Sequence, residues 1–410
     1  MDSHNANKCY KVLSVLHSDM QRAHDGCDSL EPTVKPIDSW RKLPLPSDMR
    51  EQLSSSHSHA GKYFPAEIQD YILNEPSVAV TYQFSTTADG GSRSVVLHFV
   101  VFNKRSDKLN MNKMAKKARR VCALMRLVSM HASRSTCSAT LNIYIYMTHF
   151  KKLFPGEKGE AFDAEHANTG MAYHCSKDND IVVYREEEWF KVLIHESFHA
   201  FGLSFIESDM PDGVNAAMQA MLQRTYAISH PVLVYETYCE IWARMLNVVF
   251  ACFSPDNNTR RSSQPNRDPV LNLKLNDFAE CVMQGLRKDA EHALQQSAKV
   301  AHHMGIPYRV LMDPTKENRA IVAEKYRENT NVFAYYVMTC ALQHSPDVFL
   351  VWCHKNNPKG QLMQFRTIPS NFNGFMEMLF HCKGRCPVPP DMGALSSSGS
   401  SMRMSVTSNE

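Results

Sequence analysis

Several absences narrow the reading of this chain at once. No apolar run approaches the roughly 20 residues that a membrane-spanning helix needs, so a transmembrane protein is not expected. The opening, MDSHNANKCYKVLSVLHSD, has only a short apolar patch with His and Asp nearby. It lacks the charged, apolar and small-residue segments of a secretory leader, so none is expected. The formal net charge is only +3, too small to argue for nucleic acid or a membrane surface as a partner. There is no CxxC pair and no internal repeat. The twelve cysteines are scattered, and buried free thiols in a reducing compartment, the cytoplasm, are the simplest expectation. The stretch HCKGRC (His381, Cys382, Cys386) offers half a zinc knuckle without a second half.

What is present suits a soluble globular protein. The chain has 410 residues, 43% hydrophobic and 21% charged, enough for one large two-lobed domain or two ordinary ones. Residues 1 to about 60 carry many Ser, His, Asp and Pro with little periodicity and read as irregular, with one short helix at most. Residues 386–410, Pro-rich and then Ser-rich, read as a disordered tail. Ser254 to Pro269 reads as an exposed loop.

Between these lies patterned sequence. SVAVTYQFSTTADGGSRSVVLHFVVFN places two β-branched and aromatic runs around Ala88-Asp89-Gly90-Gly91, a hairpin signal. The next stretch carries Leu109, Met111, Met114, Ala118, Val121, Leu124, Met125 and Val128 at helical spacing. Its basic residues, Lys113 to Arg120, are expected on a solvated face. TLNIYIYMT alternates like a strand, and DIVVYR is another. Beyond residue 203 helices are expected near 212–227, 231–252, 275–304, 315–327 and 331–344, then a strand over DVFLVWCH. The expected class is α+β, a small mixed sheet with helices followed by a mainly helical half.

Chemistry concentrates in FKVLIHESFHAFGL. His195 and His199 stand four apart, so on a helix they share one face, with Glu196 at its rim. Two neutral imidazoles on a rigid helix suit Zn²⁺, and the adjacent glutamate can take a proton from water. With 19 His and 21 Glu in the chain, chance supplies roughly 0.045 matches to HExxH, so coincidence is a poor account. Phe190, Val192, Leu193, Ile194, Phe198, Phe201 and Leu203 surround the motif and predict a buried helix, whose polar side chains then require partners or a metal. Gly202 is placed to end it or to allow a close approach. The position ten residues after His195 is Phe205, so a third ligand must come from elsewhere.

The best source is HPVLVYETYCEIWARMLNVVF. Glu236, Glu240, Arg244 and Asn247 form a stripe about one residue wide on an otherwise apolar helix. That is narrow for a solvent face, although a surface Glu240–Arg244 pair is the plainer alternative. Read as a buried seam, one carboxylate binds the metal and the other accepts the free N–H of a ligand histidine. Glu207 and Asp209 are nearer in sequence and stay as outside candidates.

HExxH followed by a separate helix with Glu and a second acid four residues later resembles the gluzincin branch of the zincin metallopeptidases. The resemblance implies a two-lobed fold, with an upper lobe of about 61–205 and a lower lobe of about 206–385. It implies His195, His199 and Glu236 as zinc ligands, Glu196 as general base and Glu240 as the acid that orients a histidine. The chain departs from the family in having Glu at 240 where the family has Asp, and in the longer spacing from His199 to Glu236. Both departures leave Glu240 open as the ligand. The order of elements also resembles a zincin upper lobe, where an edge strand pairs with extended substrate. NTGMAYHC or DIVVYR could be that edge. More loosely, the chain resembles HExxH-bearing proteins of large DNA viruses, which would place it in host cytoplasm or virion.

An oxyanion donor is also needed. Tyr336 is the first choice, with Tyr335, His302 and His303 behind it, and His174 expected to be structural. The expected function is therefore a zinc peptidase acting on a peptide or protein substrate. A catalytically inactive zincin-fold scaffold is the alternative, and a small-molecule amidase is a third option.

Overall fold

In this computed structural model the residues described are 3–27, 29–54, 64–88, 91–103, 106–253, 269–389 and 400–407. The N-terminal part holds α1 (Ser3–His24), β1 (Thr33–Ile37), α2 (Ser47–Ser54) and α3 (Ala66–Asn74). The hairpin β2 (Ser77–Ala88) and β3 (Gly91–Phe102) follows, then α4 (Met111–His131), β4 (Thr140–Met147), α5 (Ala164–Ala167), β5 (Gly170–Ala172), β6 (Asp178–Val183) and α6 (Trp189–Ala200). The rest is helical: α7 (Val214–Thr225), α8 (Val234–Cys252), α9 (Pro269–His303), α10 (Tyr308–Met312), α11 (Lys316–Lys325), a π-helical turn (Phe333–Met338), α12 (Thr339–Gln343), α13 (Pro346–Asn356) and α14 (Pro369–Arg385). The chain is α+β, as expected. Among the described residues no helix is long and apolar enough to cross a membrane.

The strands form one six-stranded mixed sheet in the order β1-β2-β3-β4-β6-β5. The hairpin runs in unbroken register from Ser77↔Phe102 to Ala88↔Gly91; Asp89 and Gly90 of its turn lie outside the described residues. β4 pairs parallel to β3 and β6 parallel to β4, and β5 closes one edge antiparallel to β6. One sheet face carries Val80, Tyr82, Leu97, Phe99, Ile143, Ile145, Ile181 and Val183 into the main core with α4 and α6. The other carries Val100, Tyr144, Tyr146, Val182 and Tyr184 into a smaller core with α3 and the segment after β1. Alternate residues serving two cores is the period-2 arithmetic of a strand.

Five expectations are corrected. Residues 3–24 are a long helix: Cys9, Val12, Leu13, Leu16, Met20 and Ala23 line one side of α1, which packs on α4 and α13. The wet face carries Lys8, Tyr10, Lys11, Ser18 and Arg22, while Asp19 is buried with its carboxylate 3.2 Å from His131 Nε2; Ser, His and Asp scattered along the helix make composition alone mistake it for a loop. DVFLVWCH is helix α13, not a strand. A short apolar run fits either, and the buried positions Pro346, Phe349, Leu350 and Cys353 follow the helical spacing, with proline in the first turn. Residues 400–407 of the expected tail are packed, with Met402 and Met404 buried; 390–399 and 408–410 lie outside the described residues. The cysteines are not all free: Cys137 bonds Cys175 and Cys252 bonds Cys281. β4–β6 pairing and α8–α9 packing bring these distant residues together. On α4, Lys117 is also buried, its ammonium 4.8 Å over the Trp189 ring, so that basic face is only partly solvated.

Candidate metal centre

α6 starts from an anchored residue. Glu188, its N-cap, takes left-handed backbone (φ 58°), uncommon for a residue with a side chain. Its buried carboxylate accepts from the Lys152 ammonium and from the amides of Met404 (3.1 Å) and Ser405 (2.7 Å). Burial opposes the charge, but Lys152, Lys191 and the Met404 amide outweigh it and hold Glu188 down at about 2. This pins the rotation of α6, and so the direction of His195, Glu196 and His199. Every residue from Trp189 to Ala200 is buried. Gly202, with φ 62°, ends the run as expected; a Cβ there would sit 3.3 Å from the Cys137 sulfur.

α8 packs on α6. Glu236, Glu240, Arg244 and Asn247 are all buried, so the narrow stripe is an inward seam and not a surface one. Lys191 Nζ donates to both oxygens of Glu240, at 2.9 and 3.1 Å. Arg244 Nε donates to Oε1 at 2.7 Å, and His195 Nδ1 lies 3.1 Å from Oε2. A carboxylate has about four lone-pair directions, and Glu240 has all of them in use.

Glu236 is placed differently. Its Oε2 lies 3.0 Å from His195 Nε2 and 3.5 Å from His199 Nε2, and the two Nε2 atoms are 3.3 Å apart. Bonds of about 2.0–2.2 Å at tetrahedral angles put N and O ligands of zinc ~3.3 Å from one another. The His195–His199–Glu236 triangle fits that spacing, and these three donor atoms form one of the groups able to hold a metal ion. The other nitrogens are also engaged: His195 Nδ1 faces Glu240, and His199 Nδ1 faces Cys239 Sγ at 3.9 Å. Such outer partners fix which nitrogen points inward.

Electrostatics favour a cation at the triangle. Burial resists charge here, yet hydrogen bonds to Glu236 and Glu240 lift His195 to about 10. Against the same burial, the two imidazoles hold the Glu236 carboxyl far below its ordinary value. Glu196 shifts the opposite way: burial raises it, with His195 and His199 pulling back. An upward-shifted carboxylate beside two imidazoles is a suitable proton acceptor.

No family model, no curated protein and no solved structure matches the chain. The site must therefore be read from its own geometry.

A cavity of about 240 Å³ opens between α6, α8, the π-helical turn and the sheet edge. Residues 167–172 form one wall, so β5 in NTGMAYHC is the edge strand, and DIVVYR (β6) is interior. Gly170 is what allows β5 so close: a Cβ would meet Val182 O at 2.7 Å, Val192 Cγ1 at 2.8 Å and Glu196 Cγ at 3.1 Å. His174 is on the cavity wall, its Nε2 3.3 Å from Asp209.

Tyr336 is not brought to the cluster; its hydroxyl donates to Met402 O at 2.5 Å. Tyr335 is there instead. Its hydroxyl donates to Glu236 Oε2 at 3.2 Å and its ring lies edge-on to His195. The cause is the π-helical turn, whose wider i→i−5 winding rotates side chains away from the 3.6 period. Burial, with Glu236 adding to it, raises Tyr335 well above its ordinary value and keeps it a donor. His303 bonds Glu160 O, remote from the cluster. Glu207 and Asp209 sit in a short turn after α6, outside the triangle.

Sequence reasoning missed Lys191, Asn331 and Met404. Lys191 had a signal, the lone cation in an apolar run, one turn before His195. Asn331 Nδ2, 3.5 Å from Glu236 Oε1, and Met404 Sδ, 3.2 Å from Lys191 Nζ, had none.

Proposed function

We propose that this chain is a zinc-dependent peptidase on a gluzincin-like, two-lobed zincin plan. The sheet with α4 and α6 makes the upper lobe, and α7 onward the lower. The observation that carries the reading is the treatment of one ring: His195 presents Nε2 to Glu236 and Nδ1 to Glu240, from acids one helical turn apart. A purely structural histidine has no need of two buried carboxylates with a second imidazole beside them.

His195, His199 and Glu236 are the residues that would hold zinc. When bound, zinc supplies Lewis-acid polarisation and acidifies water. The chain's own residues do the rest. Glu196 accepts the proton of the attacking water and delivers it to the leaving amine. Tyr335 donates its hydroxyl hydrogen to the developing oxyanion. Glu240, held by Lys191 and Arg244, fixes the His195 tautomer. The open edge of β5 binds extended peptide by backbone hydrogen bonds.

The test is zinc content followed by a peptide-library digest of wild type and Glu196→Gln. Folded protein that takes up no zinc at this triangle rejects the proposal. One observation favours the second reading, a non-catalytic binding scaffold: the cavity is smaller than the ~300 Å³ at which ligand sites usually begin, and Met404 stands in its wall. Identical digests from both proteins, with zinc bound, would select the scaffold.

A further inference from the structure

We propose that Cys340, His344 and Cys386 form a second zinc site, chemically unlike the first. It does not depend on the peptidase reading. Cys340 lies on α12 and His344 is its C-cap, so the two share one helical face; Cys386 caps the C-terminus of α14, which packs on α12. The three donors make an equilateral triangle. Cys340 Sγ to Cys386 Sγ is 3.8 Å, and each sulfur is 3.8 Å from His344 Nδ1.

That size fits a zinc ion. Zinc–sulfur bonds of about 2.3 Å and a zinc–nitrogen bond of about 2.0 Å, at tetrahedral angles, place the sulfurs ~3.8 Å apart and each sulfur ~3.6 Å from the nitrogen. The thiols of this cluster need no large rearrangement to reach a common ion. The same three residues form the second group of donors able to hold a metal among the described residues.

The surroundings agree with a ligand at this point. The Tyr226 hydroxyl is fully buried without a hydrogen-bond partner among the described residues, and the titratable groups acting on it are Cys386, Cys340 and Cys382. The Tyr308 hydroxyl is 4.0 Å from Cys386 Sγ. His344 and Cys386 are only half-buried, so solvent can reach a fourth position. Two sulfurs and one imidazole select a borderline-soft ion such as zinc over calcium or magnesium. His344 Nδ1 also lies 2.9 Å from Cys340 O, where its protonated form donates. Binding therefore moves the ring proton to Nε2 and releases the two thiol protons to solvent.

The test is metal content and cobalt spectroscopy on the reduced full chain. Zinc should fall by one equivalent per chain in Cys340→Ser and in Cys386→Ser, and be unchanged there in His199→Ala. Replacing zinc by Co²⁺ in wild type should give a thiolate-to-cobalt charge-transfer band, which a site of nitrogen and oxygen ligands cannot produce. The wild-type spectrum needs no variant to fold. Absence of the band, equal zinc in wild type and the folded cysteine variants, or a Cys340–Cys386 disulfide that forms in place of zinc uptake would each overturn the proposal. Failure of the first centre alone would show as loss of the His199-dependent equivalent with the band retained.

Discussion

The two donor triangles of this molecule are built by opposite routes. His195, His199 and Glu236 sit buried in the wall of the cavity, on α6 and α8, and each is backed by a further partner: Glu240, Cys239, Tyr335 or Asn331. Cys340 is buried within α12, and His344 and Cys386 are half-buried at the C-terminal ends of α12 and α14. The first triangle is of nitrogen and oxygen on rigid supports, the arrangement that suits acid–base chemistry at a metal. The second is mostly sulfur and has no carboxylate to serve as a base. Geometry alone would rank them alike; the shell behind each triangle separates them.

The contrast can be broken most severely at Glu196. Glu196→Gln should lower kcat/KM on a substrate peptide by ~10²–10⁴-fold while zinc content stays unchanged; retained activity would strip the first triangle of its catalytic reading. Tyr335→Phe should lower kcat by ~10²–10³-fold with KM little altered. Tyr336→Phe should leave kcat where it is, so equal effects would reject the assignment drawn from the π-helical turn. Glu240→Gln should weaken zinc at the first triangle by ~10–100-fold in chelator competition and leave the cobalt–thiolate band intact. A smaller effect concerns the anchor of α6. Glu188 has a folded pKa of about 2 against an ordinary 4.5. The stability it adds is therefore full above about pH 4.5 and is lost as pH falls toward 2. Urea unfolding across that window should be steeper in pH for wild type than for Glu188→Gln.

The parts of this structure that were legible are those in which chemistry and periodicity fall within one element. HExxH declares itself within five residues, and the Glu236–Asn247 stripe within three turns of α8. The hairpin is marked by β-branched runs around a glycine pair. Legibility ends where partners are distant or the period changes. Nothing near Glu240 announces Lys191 as its counter-ion, since the two lie on different helices 49 positions apart. Tyr335 and Tyr336 are neighbours in one apolar stretch, and the π-helical turn that brings Tyr335 and not Tyr336 to the cluster leaves no mark in composition. α1 was hidden because Ser, His and Asp are scattered between its apolar positions, with Asp19 buried against His131, and α13 because a buried helix and a buried strand share a composition. Whether Glu236 or Glu240 meets the histidines could not be read from spacing; it turns on which carboxylate is already saturated by cations. The sulfur triangle, assembled from residues 46 apart, was visible only as the orphan half-motif around Cys386.

The amides of Met404 and Ser405 that hold Glu188 lie 216 and 217 positions beyond it in the chain. Translation at ~5–20 residues per second puts roughly 10–40 s between the emergence of the HExxH helix and the arrival of the segment that secures its first turn. Through that interval Glu188 and Lys152 are together without the backbone donors that complete their pair. The wall of the cavity that includes Met404 does not yet exist. The HExxH helix is thus secured by residues made 216 and 217 positions after its N-cap, so a nascent chain carries the motif well before it carries the site.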